Sequence, residues 1–441
     1  MISIRCISLR AFLRSNNIIF LGIIIRLVLM PFFAHPFDMY VKYSYVEEIF
    51  RQGVTTIGFN PIFDLYQISI TPIYYWLSNT FSISATAIST LPESFNPGYG
   101  VTVVTDPIFN TLVKVPLIVS DILSAFLIYK IAFFFTRDNI TSRNASFLYF
   151  FNPIVIWISA AWGQYDSLAV LFTLLSFYLL LTKKKYLFSA QSLYIAFFVK
   201  IYPIFFLVPI CISIIRFGKH KLLNLFKYLI FLIPLSIYLL LLFRDVTLNL
   251  LNSLFVPSGF FLISGFGLTY WSISLIYPIN LFWSGLLSNL VLISLVSLAS
   301  YFVIKIAKDK FDVIIIGSFM YISAFFLSLT IITEQRSLML FALLSLITIN
   351  KGSLRPYYIF LSITAFLYAQ KNFPFYILPL ASQFPNSFEF LFNNISIYVD
   401  RSTEILIPTM LSGFVLFILG TSFSIGLIII IWKLFRINNN T

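Results

Sequence analysis

Charge in this chain comes in short clusters, and the stretches between them are apolar and long enough to cross a bilayer. A helix needs about 20 such residues for one crossing. Only 10% of the 441 residues are charged, where a soluble domain carries roughly a quarter. With 59% hydrophobic residues and a mean hydropathy of +0.94, the chain has too little polar surface to face water. Its solvent is therefore expected to be lipid. The net charge of +13 would suggest nucleic acid in a soluble protein. Here the basic residues sit in short loops between apolar runs, as cytoplasmic loops do, so no nucleic-acid partner is expected.

Counting apolar runs predicts an all-α polytopic membrane protein of about 12 transmembrane helices, one domain over residues 1–441 with interfacial helices in its outer loops. Arg5, Arg10 and Arg14 precede the first run, near Ile18 to Ala34, and place the N-terminus in the cytoplasm. No small-residue cleavage site follows, so the run reads as an uncleaved span. Three long outer segments are expected: 35–113, 244–283 and 372–404. In the first, Pro72 to Leu77 reads as a helix lying on the membrane, and Asn96 to Gly100 as a turn. The run Tyr186–Ile215 has basic clusters at both ends, Lys183 to Lys185 before it and Arg216, Lys219 and Lys221 after it. Equal sidedness demands an even number of crossings. Two short helices meeting near Lys200 meet that demand, with Pro203 supplying the break. Cys6 and Cys211 have no metal-ligand spacing, and neither a disulfide nor a zinc site is expected.

The ionisable groups near the outer ends of spans are the candidates for chemistry, because charge beside lipid is costly. His35 and Asp38 follow the first span at once, and Asp38 is the candidate base for a hydroxyl proton. Trp162, Gln164 and Tyr165 with Asp166 form an outer turn that suits a sugar: rings stack on it and the amide binds hydroxyls. A tight turn in which Asp166 caps the next helix explains the same residues. Lys200 and Tyr202 lie at the predicted helix break, where a lysine meets an anion more readily than in mid-helix. Glu334, Gln335 and Arg336 stand between two apolar helices, and Arg244 is grouped with them as a candidate; the arginines suit a bidentate phosphate clamp or a plain interfacial anchor. One chemistry uses these parts together. A sugar leaving a polyprenyl phosphate needs cations to hold the phosphate (Arg336, Arg244, Lys200) and one base for the acceptor, with inversion at the anomeric carbon.

Several of these segments resemble a known family. Arg26-Leu27 followed by Asp38, Thr71-Pro72 with Tyr75-Trp76, Ser120-Asp121-Ile122-Leu123 with Leu127-Ile128-Tyr129-Lys130, Phe151-Asn152-Pro153 and Lys200-Ile201-Tyr202-Pro203 carry the resemblance. The chain resembles the GT-C superfamily of glycosyltransferases that use polyprenyl-phosphate sugars. Within it, the chain is most similar to the GPI mannosyltransferase I catalytic subunits and their prokaryotic relatives. Trp162 to Asp166 is similar to a motif of bacterial and archaeal members. The resemblance covers the first half; in the second half it rests on topology and on Glu334-Gln335-Arg336. It implies a catalytic acid in the first outer loop, matched by Asp38, and dolichyl-phosphate mannose or glucose as donor. The family's signature pairs two acids, but Met39, Tyr40 and Val41 follow Asp38. The second acid therefore stays open among Glu47, Asp106 and Asp166, and the departure argues against dependence on a divalent metal. No other cofactor is implied.

Two other readings compete with the enzyme. A transporter or flippase would show paired halves with matching broken helices, and the sequence offers one break, near Pro203. A non-catalytic subunit of a membrane complex would tolerate loss of Asp38. The expected partners are the lipid-phosphate sugar, a glycan or lipid-linked acceptor, membrane lipids and, if a complex forms, a small membrane subunit. The short loops point to a prokaryotic cell membrane; in a eukaryote the same chain would sit in the endoplasmic reticulum. Asn394-Ile395-Ser396 is a sequon on an outer segment, whereas those at Asn139 and Asn144 fall on the cytoplasmic side.

Overall fold

The computed structural model describes residues 17–53, 61–97, 100–218, 220–230, 268–270, 281–328, 334–392, 396–399, 406–409 and 413–439. The Arg244 and Asn394 readings and Cys6 lie outside the described residues. The fold is a bundle of helices, and the residues at helix starts explain where several begin. α1 (Asn17–Phe32) turns by 70° into α2 (Pro36–Gln52). His35 and Pro36 open α2, since proline at a first turn forfeits no helical hydrogen bond. After α3 (Pro61–Phe81), β1 (Thr86–Ala87) and β2 (Val103–Val104) form a small antiparallel hairpin. Asp106 caps the 30-residue α4 (Pro107–Thr136), accepting from the amides of Ile108 and Phe109.

Asp138 caps α5 (Asn139–Phe150) in the same way. Asn152 then caps α6 (Pro153–Ile156), which runs on as a π-helical turn over Trp157–Trp162. α5 and the segment Pro153–Trp162 are bent by 51° at the break between them. α7 (Asp166–Tyr178) leads to α8 (Tyr186–Val199). The chain breaks at Lys200, makes a 3₁₀ turn over Tyr202–Phe206, and continues as α9 (Leu207–Phe217). The two short helices and the break near Lys200 match the sequence expectation, and each helix is shorter than a membrane span. α10 (Lys221–Ile230), α11 (Leu281–Tyr301), α12 (Gly317–Ser328), α13 (Ser337–Asn350) and α14 (Arg355–Ala369) follow. α15 (Pro385–Phe392), a hairpin of β3 (Ser396–Val399) with β4 (Leu406–Thr409), and α16 (Gly413–Asn439) complete it.

Among the described residues, four helices are long and apolar enough to cross a membrane: Pro107–Thr136, Asp166–Lys183, Leu287–Ile306 and Phe414–Asn438. The number is six if each of the two bent pairs is one span. That is fewer than the twelve runs of the hydropathy reading. One reason is length. α13 has 14 residues, or about 21 Å at 1.5 Å per residue, against a hydrocarbon core of about 30 Å.

The helices form an inner and an outer layer. α12 and α13 are buried on nearly every side, as expected of helices apolar all round. α1, α11, α14 and α16 leave large apolar side chains uncovered, among them Phe20, Ile293, Ile363 and Phe414. Such a belt suits lipid rather than water. Helix ends gather at two opposite faces. At one, Phe135 packs on Phe311, Lys184 lies within electrostatic reach of Lys310, and Lys351 bonds Asn438. At the other, the ends of α1 and the π-helical turn meet the Phe373–Tyr376 turn, the end of α8 meets the start of α7 through Lys200 and Asp166, and Glu334, just before α13, pairs with Lys371.

Candidate functional site

The exit of α1 is tied down by backbone and lysine. The Ala34 amide donates to Tyr376 O at 2.8 Å, and the His35 amide to Trp162 O at 3.2 Å. Lys114, fully buried on α4, donates to the carbonyls of Met30 (3.0 Å), Ala161 (3.1 Å) and Phe33. Those carbonyls are the orphan acceptors at the ends of α1 and the π-helical turn. One ammonium group thus clamps two helix ends together at the place where Asp38 emerges.

Asp38 is held from several sides. Trp162 Nε1 donates to its Oδ2 at 2.5 Å, and the Gln164 side chain donates as well. His35 Nδ1 lies 3.1 Å from Oδ2 and 3.3 Å from the Asp38 amide. With a proton on Nδ1 the ring serves the carboxylate; without one it caps α2. Burial pushes the carboxyl up, but His35, Lys42 and the two side-chain hydrogen bonds outweigh it and hold the carboxyl below its ordinary value. Burial pushes His35 down, despite Asp38 and Glu334 nearby, and favours the neutral ring. Asp38 is therefore an ionised carboxylate at neutral pH, and 23% of its side chain is still exposed.

Lys42 follows Asp38 by one helical turn. Its Nζ donates to Gly163 O at 2.5 Å and lies over the rings of Phe63 and Tyr165. Burial lowers its pKa to about 8. Gly163 stands at φ +88°, and a Cβ there would come within 2.9 Å of Lys114 Cε and Met39 Sδ. Only glycine combines that backbone with that space.

Past Lys42 the polar region continues. Lys200 Nζ is 3.2 Å from Asp166 Oδ2 and 4.5 Å from the centre of the Tyr165 ring. Tyr202 donates to Asp166 Oδ1 at 3.5 Å. Arg336 stands within electrostatic reach of Asp166, Tyr202 and Lys200. On the other flank, Lys371 Nζ pairs with the fully buried Glu334 at 3.3 Å. Both act electrostatically on His35. Four cations (Lys42, Lys200, Arg336, Lys371) thus face three carboxylates (Asp38, Asp166, Glu334), so the region carries a positive excess. The side-chain carbonyl oxygens of Gln164 and Gln335 are buried there without a hydrogen-bond partner among the described residues.

Most of the sequence-predicted residues therefore converge: His35, Asp38, Trp162, Gln164, Tyr165, Asp166, Lys200, Tyr202, Glu334, Gln335 and Arg336. Three roles change. Asp166 does not cap α7, whose first residue it is; Tyr165 precedes it without a capping bond, and the carboxylate pairs with Lys200 instead. Trp162 is only 4% exposed, and His35 stacks on its ring at 4.7 Å. It orients Asp38 and does not offer an open face to a sugar. Asp106 and Glu47 stand apart. Asp106 caps α4 and accepts from Tyr74 at 2.6 Å, and Glu47 pairs with exposed Arg51. Sequence reasoning missed Lys42, Lys114 and Lys371. The i, i+4 spacing from Asp38 to Lys42, and a lysine inside the apolar run of α4, were the available signals. No model of a known protein family matches the chain, and no characterised protein matches it.

Proposed function

We propose that the chain is an inverting glycosyltransferase that moves a hexose, mannose foremost, from a polyprenyl-phosphate donor to a glycan or lipid-linked hydroxyl. The observation that carries the reading is the setting of Asp38: an ionised, part-exposed carboxylate held by Trp162, Gln164 and His35, one turn from Lys42 and in a polar region shared with Lys200 and Arg336. Asp38 accepts the proton of the acceptor hydroxyl. The hydroxyl oxygen attacks the anomeric carbon, the bond from that carbon to the phosphate oxygen breaks, and its electron pair leaves with the lipid phosphate. The departing anion needs positive charge and no strong general acid. Arg336 supplies a planar fork for phosphate oxygens, and Lys200 adds a second cation. The buried carbonyls of Gln164 and Gln335 suit sugar hydroxyls as acceptors. In the membrane, this site faces outward, the lysine-rich ends face the cytoplasm, and the twelve apolar runs are the crossings.

The test is transfer by purified protein from a polyprenyl-phosphate sugar to candidate acceptors. Asp38→Asn should cut the rate by about 100- to 10,000-fold, the usual worth of a general base, with folding and donor binding retained. An Asp38→Asn protein as active as the parent would remove the base and the reading with it.

A transporter reading is favoured by one observation. The bent pair Asn139–Phe150 with Pro153–Trp162 is a second broken helix beside the break at Lys200, and broken helices line transport sites. Protein-dependent flux of a lipid-linked sugar across liposomes, unaffected by Asp38→Asn, would favour it over the enzyme.

A further inference from the structure

We infer that the groove between α5 and α14 binds one anionic phospholipid, with its headgroup at Arg355 and an acyl chain along the groove. The groove encloses about 540 Å³, and its lining includes neither Asp38 nor any of the residues grouped with it. It is separate from the transferase reading and does not depend on it.

Its walls are apolar. Phe147 and Phe151 come from α5 and the residue after it, and Ile359 and Ile363 from α14. Ile359 and Ile363 are about half exposed (52% and 50%), so the groove opens sideways onto the surface where lipid lies. Its polar floor is satisfied from within. Asn152 Nδ2 donates to Tyr358 OH (2.9 Å) and to Ser362 Oγ (2.8 Å), and Tyr358 OH donates to Leu148 O (2.6 Å). A hydrocarbon chain can cover these groups without stranding a donor. From Arg355 to Ile363 α14 rises about 12 Å, enough for the upper part of one acyl chain.

The mouth selects the headgroup. Asn144 and Arg355 line it, and Arg355 is exposed and opens α14. A guanidinium beside the amide-rich start of a 15-residue helix favours an anion twice over. The same face carries Lys184, Lys308, Lys310 and Lys351 against Asp309 and Asp312, so a zwitterionic head gains less there. The site needs charge at the mouth and an apolar bed below it, and a phospholipid such as phosphatidylglycerol has both.

The experiment uses delipidated full-length protein in detergent. Equal amounts of phosphatidylglycerol and phosphatidylcholine with the same chains are added, and retained lipid is read by native mass spectrometry. One phosphatidylglycerol should be retained over phosphatidylcholine by about fivefold, the effect of one cation near a lipid surface. Arg355→Gln should bring the ratio to about one. The pair Ile359→Trp and Ile363→Trp, at exposed positions that leave the buried hydrogen bonds intact, should reduce retention of both lipids. Equal retention by the unaltered protein, or an unchanged ratio in Arg355→Gln, overturns the proposal. So does polyprenyl phosphate displacing phosphatidylglycerol at equal concentration, since the occupant would then be a different lipid.

Discussion

At the scale of single residues, Lys42 is a side chain whose chemistry departs from what its position in the chain suggests. Burial lowers its pKa to about 8, while it donates to Gly163 O and acts on Asp38. Its positive charge helps keep Asp38 ionised and holds the turn that carries Trp162. As pH rises through about 8, that charge disappears. If the transferase reading holds, activity should fall as pH rises through this value, and Lys42→Met should lower the rate and remove this alkaline limb. Lys42→Arg should restore the charge and shift the limb upward; rate-against-pH profiles of the three proteins check this. The sign for stability is the reverse. Between about 8 and the ordinary lysine value the unfolded chain holds more protons than the folded one, so the Lys42 contribution to stability rises with pH across that window.

At the scale of elements, Arg26 joins four segments. Its Nε lies 3.0 Å from Asp121 Oδ2, Nη2 donates to Phe150 O at 2.8 Å, and Nη1 donates to Gly22 O. Ser159 donates to the same carboxylate oxygen at 2.6 Å. α1, α4, α5 and the π-helical turn therefore share one buried ion pair, with both side chains fully buried. The sequence places Arg26 inside a span and Asp121 inside another; their pairing explains how both are tolerated. Removing one partner leaves a buried charge alone. Arg26→Met should destabilise the protein by about 3–5 kcal/mol, seen as a lower midpoint of thermal unfolding in detergent. Arg26→Met with Asp121→Leu should recover most of that loss. A double variant no more stable than Arg26→Met would show that the pair's worth lies in its backbone contacts instead.

At the scale of the whole molecule, the two faces differ in chemistry. Asp38, Asp166 and Glu334 with their cations occupy one, and the lysine clusters the other. By the positive-inside rule the second is the face expected in the cytoplasm. Cysteine placed at Ser82, exposed after α3, should react with a membrane-impermeant maleimide on intact cells. Cysteine at Ser353, exposed before α14, should react only after permeabilisation. Labelling of both positions from the same side would sink this orientation.

The amino-acid sequence by itself determined the helical class and the break at Lys200. These follow from local quantities: run length, charge parity and the missing amide of Pro203. It also marked Asp38, Asp166, Lys200, Glu334 and Arg336, because a charge beside an apolar run is costly wherever the run packs. Only the tertiary structure decided which charges meet. Asp166 and Lys200 are 34 positions apart and Arg26 and Asp121 95, and no local pattern encodes such pairings. The same holds for Lys114, whose three carbonyl partners come from two other segments. Trp162 likewise reads as a sugar platform until His35 is seen covering its ring. Length and charge act within a segment, whereas desolvation and pairing act between segments, and those depend on how the bundle closes.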